Sequence, residues 1–193
     1  MTFSWGDYAI VDLGPRGDWK DLSKDDAKLR FTILMDARTE RGLNLVRLAQ
    51  MNGYEVDTSN EGVQALNDMI YQNVFSDPER PEYASPEWLS VAIDAGLFLG
   101  DIAIGRCPSL RWGLNSKAKA VSRNQPVLVG FTRADNPAFD WGVVNGALTY
   151  TTAVSRRGVT YPVMIEGHLH HPQPPKLRLD AFVHTLSTIA DYA

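Results

Sequence analysis

The segment 88–100, with the sequence WLSVAIDAGLFLG, constrains the fold more than any other part of this chain. Ser85-Pro86-Glu87 stands directly before it and is typical of a helix start, since serine caps, proline suits the first turn and an acid favours the positive end of the dipole. A helix that is apolar around most of its circumference has to be covered on all sides. We therefore expect this helix to be the buried centre of the fold.

Two more helices are predicted ahead of it. Ser23 followed by two aspartates indicates a helix start, and the apolar spacing continues to about residue 51, where Asn52-Gly53 can end a helix. Thr58 or Ser59 can cap a second helix that reaches about residue 74. Residues 1–23, rich in aromatic side chains and turn residues, are typical of an irregular arm that docks on the rest.

After residue 107 the pattern changes to short extended runs. Segments 110–114, 126–131 and 159–165 favour strands, the first two in an antiparallel sheet, and segment 180–192 favours a final amphipathic helix. Segment 137–157 fits helix and strand about equally. The expected class is α+β, with N-terminal helices packed on a small antiparallel sheet and a C-terminal helix, in a single domain spanning residues 1–193 with an arm at 1–23.

Composition narrows the cellular setting. The single cysteine, Cys107, excludes an intramolecular disulfide and a cysteine-based zinc site. Free cysteine is usually a small buried apolar residue, which is the role expected for Cys107. No charged-then-apolar leader opens the sequence, and no apolar run approaches 18 residues. These features predict a cytoplasmic protein without a membrane segment.

Charge is distributed unevenly along the chain. Residues 1–100 have a net charge of −8 and residues 101–193 a net charge of +4, and no carboxylate lies between Asp101 and Asp135. This window predicts a binding surface for a protein partner, in particular an acidic protein, while a pI near 5.5 disfavours nucleic acid. The alternative is that these bases neutralise the acidic helices within the fold. The candidate partner-binding residues are Arg111, Trp112, Lys117, Lys119 and Arg123.

One cluster contains metal-ligand residue types. On a strand, Glu166, His168 and His170 would share a face and could seat a transition metal. The prolines at 172, 174 and 175 instead favour a solvent-exposed loop from 167 to 175, a setting that does not orient imidazoles. We therefore predict no metal site and no cofactor.

Other chemical motifs are absent from the sequence. No phosphate-binding glycine loop is present, and Gly96 and Gly100 lie late in a predicted helix, where close helix packing explains them. No nucleophile elbow or zinc-protease motif occurs. Asp94 and Asp101 share one helical face, and we expect them to pair with the basic strands of the second half.

Several segments together resemble bacterial families of domains of unknown function. The resemblance rests on Asn52-Gly53-Tyr54-Glu55-Val56-Asp57, on residues 62–67 and 95–101, and on Arg111-Trp112. These families have a "Gly-aromatic-Leu-Gly" helix end followed by a Trp-bearing strand, and some relatives are immunity-like or chaperone-like binders. The resemblance favours a binding role, and since no motif names a reaction, we predict a non-enzymatic protein-binding domain, immunity-like or chaperone-like. The alternative function is a small metal-dependent hydrolase that uses the cluster of Glu166, His168 and His170.

Overall fold

The computed structural model describes residues 2–115, 123–133, 139–157 and 176–193, together with the backbone of 163–165 and 168–170. The helices of this described part are α1 (Lys24–Met51), α2 (Asn60–Asn73), α3 (Pro86–Arg106), α4 (Val143–Ser155) and α5 (Ala181–Tyr192). Its strands are β1 (Arg111–Leu114), β2 (Pro126–Val129), β3 (Val163–Ile165) and β4 (His168–His170). The predicted α+β class is confirmed, with the helices of the first half, small antiparallel strand pairs and a C-terminal helix.

Serine side chains start the first two helices as the sequence predicts. Ser23 Oγ accepts a hydrogen bond from Asp26 N at 3.1 Å, and Ser59 Oγ accepts one from Gly62 N at 3.0 Å. Each bond satisfies a backbone donor that has no partner within the helix. At α3 the Ser85 hydroxyl turns to the Glu87 carboxylate at 2.8 Å, and Pro86 occupies the first helical position, where no backbone donor is needed.

Helix α3 forms the centre of the core, as its apolar sequence predicts. It packs against α1, α4 and α5, and Trp88, Val91, Ala95 and Leu97 are all fully buried. Gly96 permits α4 to approach closely, because a Cβ there would lie 2.5 Å from Val144 Cα. Among the described residues α3 is the one helix with the length and hydropathy of a membrane span, and 72% of its apolar window is buried inside the fold.

Strands β1 and β2 form an antiparallel pair in which Trp112 lies opposite Leu128. Leu128 also bridges to Trp141, which brings the start of α4 to the edge of this pair. Within segment 137–157, whose pattern fits helix and strand equally, the structure has helix α4 over Val143–Ser155.

Strands β3 and β4 form a second antiparallel pair, with Val163 opposite His170. The predicted loop from 167 to 175 is thus wrong over His168–His170, which pair as a strand because strand β3 directly precedes them and offers its backbone groups. Glu166, His171 and the prolines of this segment lie outside the described residues.

The N-terminal arm packs its aromatic rings on α3. The Trp5 ring centroid lies 5.1 Å from that of Trp88 and 4.9 Å from that of Phe3. Asn52 at the end of α1 fastens this part of the arm: its side chain accepts a hydrogen bond from Ser4 N at 2.7 Å and donates one to Ser4 O at 2.8 Å. The arm thereby contributes to the complete burial of Trp88.

Beneath the arm lies a buried ion pair between α1 and α3. Arg41 donates from Nε to Asp94 Oδ1 at 2.8 Å and from Nη2 to Asp94 Oδ2 at 2.5 Å. Tyr8 donates its hydroxyl to Asp94, while Ser90 Oγ accepts from Val11 N at 2.8 Å. Burial raises the pKa of Asp94 even though Arg41 and Tyr8 oppose that shift. Such a pair is destabilising to break, because removing one partner leaves an uncompensated charge.

Candidate functional site

The predicted partner-binding residues do not form one described surface. Arg111 is exposed at the start of β1, and Arg123 is half-buried in the turn before β2. Lys117 and Lys119 lie outside the described residues. Trp112 is committed to the fold: its Nε1 donates to Asp101 Oδ1 at 2.9 Å, and its ring fills the space left by the missing Cβ of Gly100. An acidic partner for this window stays a prediction.

The carboxylates of α3 pair with α1 and not with basic strands, so the predicted partners are wrong. Asp94 binds Arg41, and Asp101 Oδ2 accepts from Arg38 Nε at 2.9 Å. Both arginines lie on α1, which packs lengthwise along α3 and presents them at one helical turn's spacing. The remaining oxygen of Asp101 is the one bonded to Trp112, so this carboxylate is held from two sides.

Within the described part of the chain, no group of three or more His, Cys, Asp or Glu side chains is placed to hold a metal. Of the three residues in the metal hypothesis, the described part of the chain includes only the backbone of His168 and His170. Cys107 is half-buried at the end of α3, with its backbone N–H bonded to Ala103 O at 2.8 Å.

The polar end of α3 borders a groove of about 410 Å³. Residues 98, 101, 102 and 105 follow one another at helical spacing, so they share one face of α3. Gly105 leaves the groove open, because a Cβ built there meets no atom within 4 Å. The lining residues are Thr58, Phe98, Asp101, Ile102, Gly105 and Arg106.

Arg106 is fixed at the rim of this groove by the start of α2. Its Nη1 donates to Asn60 Oδ1 at 2.9 Å and its Nη2 to Thr58 O at 2.7 Å. A guanidinium has five N–H donors, so about three remain for a ligand. Asp57 occupies the N-terminus of α2, where hydrogen bonds from Ser59 lower the pKa of that carboxyl. Among the described residues that line the groove, Arg106 is the one cation.

A second cavity of about 220 Å³ lies on the other side of Arg106, between α3 and α5. Its floor is apolar and buried, and its rim carries the amide of Asn60 and the hydroxyl of Ser187. The lining residues are Asn60, Ala103, Arg106, Cys107, Val183, Leu186, Ser187, Ile189 and Ala190. The groove and this cavity, which share Arg106, together have the size of a small-molecule site, roughly 300–1,000 Å³. We refer to both as the Arg106 site.

Another cavity, of about 310 Å³, lies between the arm and α1. Asp7 and Glu40 line it against the single cation Arg47. Its net negative lining repels anionic ligands such as phosphates.

Sequence reasoning missed the Arg106 site because its parts are far apart in the chain. Arg106 and Thr58 are separated by 48 residues, and nothing in either segment indicates the other. The available signal was the polar end of an otherwise apolar helix, where Asp101, Gly105 and Arg106 replace apolar residues at positions that would continue the core-facing pattern.

Comparisons with known proteins find that the chain is similar to bacterial adenylate cyclases. It is 25% identical over 153 residues to an adenylate cyclase of Yersinia intermedia, covering 78% of this chain. It is 24% identical over 159 residues, 81% of this chain, to the adenylate cyclases of Escherichia coli O6:H1 and Salmonella typhimurium. The chain spans only 18% of the length of each of these relatives. No family model matches the chain, and no solved structure matches it significantly.

The relatives overturn the predicted function. Adenylate cyclases are enzymes, so the prediction of a non-enzymatic protein-binding domain is wrong, and the similarity gives no support to the metal-dependent hydrolase either. The resemblance to domains of unknown function stays a prediction. It rested on helix ends and a tryptophan that the structure assigns to packing, and packing motifs do not report chemistry.

Proposed function

We propose that this chain acts on ATP in adenylate-cyclase-type chemistry in the cytoplasm, and that the Arg106 site holds the nucleotide. The observation that carries the proposal is the similarity to adenylate cyclases, which extends over about four fifths of the chain. The reaction is an intramolecular displacement: the 3′-hydroxyl oxygen of the ribose bonds to the α-phosphorus, the bond from that phosphorus to the bridging oxygen breaks, pyrophosphate leaves, and the hydroxyl proton passes to water.

The charge of the site supports an anionic ligand. Arg106 faces the groove, and Arg38 stands behind Asp101 with about a third of its side chain exposed. Guanidinium groups suit phosphate oxygens because their planar N–H donors can engage two oxygens at once. Among the described residues, the groove is lined by one arginine and one carboxylate, Arg106 and Asp101, whereas the cavity under the arm has a net negative lining.

If Mg²⁺ accompanies the nucleotide, Asp101 would be the carboxylate that holds it, through the lone pairs that Arg38 and Trp112 leave unused. Mg²⁺ in such sites takes one or two protein carboxylates and completes its shell with phosphate oxygens and water. Asp101 is the single carboxylate among the lining residues, and Arg38 and Trp112 hold it in one orientation. The geometry supports two roles for these side chains, which are to bind the nucleotide and to orient it.

ATP binding and cyclic AMP formation by the purified protein test the proposal. We expect equilibrium dialysis with Mg-ATP to show binding that Arg106→Gln weakens roughly tenfold or more, since hydrogen bonds to charged groups contribute about 1.5–3 kcal/mol. Arg111→Gln is the matched control, because Arg111 is an exposed arginine outside both cavities. Mass spectrometry should detect cyclic AMP.

Three results would count against the proposal. Absence of ATP binding by the parent protein would overturn it, and so would an equal loss in the Arg106 and Arg111 variants. ATP binding without cyclic AMP would overturn the catalytic part and leave a nucleotide-binding domain.

A further inference from the structure

The cavity between α3 and α5 has the chemistry of a base pocket. Its floor consists of apolar side chains that are fully or largely buried, among them Ala103, Leu186 and Ile189. Purine rings are flat and largely apolar, so their transfer from water to such a surface lowers the free energy. A triphosphate, in contrast, would lose its hydration there without gaining enough donors.

Two polar groups at the rim have fixed or adaptable hydrogen-bonding roles. Because a guanidinium only donates, Asn60 Oδ1 must face Arg106, which leaves the Asn60 amide NH₂ as a donor. The Ser187 hydroxyl can donate or accept. A purine edge presents ring-nitrogen acceptors next to an exocyclic group, amine in adenine and carbonyl in guanine. One amide donor and one hydroxyl can therefore pair with such an edge.

The location of Arg106 indicates which end of the nucleotide enters each of the two spaces. Arg106 lines both spaces, so a nucleotide whose base enters the smaller cavity passes this guanidinium and places its phosphates in the larger groove beside Thr58 and Asp101. The reverse orientation would put the charged tail on the apolar floor. We infer that the α3–α5 cavity is a purine subsite, in which Asn60 and Ser187 recognise the base edge. This inference rests on the proposed function.

Cys107 offers a direct reporter for this subsite. It lines the α3–α5 cavity and is the single cysteine of the chain, so a maleimide reacts at one known position. A ligand at ten times its Kd leaves about one chain in eleven free, and should slow the labelling about tenfold. We expect adenosine and ATP to slow labelling of Cys107 and inorganic tripolyphosphate to leave its rate unchanged.

A pair of hydroxyl variants tests the recognition of the base edge. Ser187→Ala should weaken protection by adenosine about threefold to tenfold, the effect of one lost hydrogen bond. Thr188→Ala is the control, because this neighbouring hydroxyl donates to His184 O within its own helix and does not line the cavity. Comparison of adenosine with guanosine then tells which purine the two groups prefer.

The outcomes separate this inference from the proposed function. Protection by tripolyphosphate but not by adenosine would overturn the base placement, and so would equal losses in the two hydroxyl variants. ATP binding measured by dialysis without any protection of Cys107 would also overturn it while leaving the proposed function intact. If neither adenosine nor ATP binds in dialysis, both the inference and the proposed function fail.

Discussion

Tyr8 is the residue at which the arm meets the buried charges. Its hydroxyl donates to Asp94, and Arg41 lies over its ring with the guanidinium carbon 5.0 Å from the ring centroid. Burial and the neighbouring Asp94 charge raise the pKa of Tyr8 above its ordinary value of about 10. The phenol therefore keeps its proton in the folded protein at a pH where the unfolded chain loses it.

This difference predicts a loss of stability in alkali. Above about pH 10 the unfolded state binds fewer protons than the folded state, so the unfolding free energy falls as the pH rises, by at most about 1.4 kcal/mol per pH unit for each such group. Burial also raises the pKa of Tyr150, to about 12, with the same sign. Urea unfolding between pH 9 and 11 should show a shallower fall for Tyr8→Phe than for the parent. Tyr83→Phe, at an exposed ring, is the control, and an unchanged slope in Tyr8→Phe would contradict the assignment.

The residue scale also shows what the sequence could not predict. The acidic residues of α3 were recognisable, but their partners Arg41 and Arg38 lie 53 and 63 residues away on α1. The charge pattern of the second half pointed to other arginines. Pairing of distant charges depends on which helices pack together, and the sequence pattern does not specify that.

At the scale of elements, two glycines of α3 have different surroundings. Gly96 lies against the backbone of Val144, whereas Gly105 faces empty space in the groove. Alanine is favoured over glycine in a helix by about 0.5–1 kcal/mol, so the sign of each substitution depends on the space around it. The same helix thus uses glycine for close packing at one end and for an open ligand site at the other.

Alanine substitutions should therefore have opposite effects at these positions. We expect Gly96→Ala to lower the unfolding free energy by about 1–3 kcal/mol, because the backbone of α4 has to move. Gly105→Ala should raise it by up to about 1 kcal/mol. Chemical denaturation of the two variants gives the comparison. A stabilised Gly96→Ala protein would show that α3 and α4 are not packed as described.

Element boundaries followed from the sequence wherever a cap or proline marked them. Helix α1 runs from the residue after Ser23 to Met51, and α3 begins at Pro86, as the pattern predicts. Strand β4 was missed because histidine and proline content indicates a loop, while pairing with β3 is a tertiary effect. The Arg106 site was missed because its cavities exist only once α2, α3 and α5 are assembled.

For the whole molecule, the arm connects the ends of α1 and α3 into one unit. Its rings cover Trp88, and its backbone bonds to Asn52 and Ser90 on different helices. Further along the arm, Gly17 O accepts a hydrogen bond from Arg30 of α1 at 3.0 Å, and the Arg30 guanidinium stacks on the Trp19 ring. The arm contributes to the core although it has little regular structure.

Removal of one ring from the arm should therefore destabilise the entire fold. We expect Trp5→Ala to lower the unfolding free energy by about 2–3 kcal/mol, less than for a fully buried tryptophan because Trp5 is half-buried. Ile10→Ala on the same arm, where the side chain is 52% exposed, should stay within about 0.5 kcal/mol of the parent. Equal small effects in both variants would show that the arm is not part of the cooperative unit.

The arm also has a consequence for biosynthesis. Tyr8 leaves the ribosome long before its partner Ser90, which follows 82 residues later in the chain. At about 5–20 residues per second, this separation corresponds to roughly 4–16 seconds of translation. During that interval Phe3 and Trp5 have no α3 to cover, and they remain exposed on a nascent chain. The aromatic residues that complete the core are thus accessible to chaperones at the ribosome exit before α3 has been made.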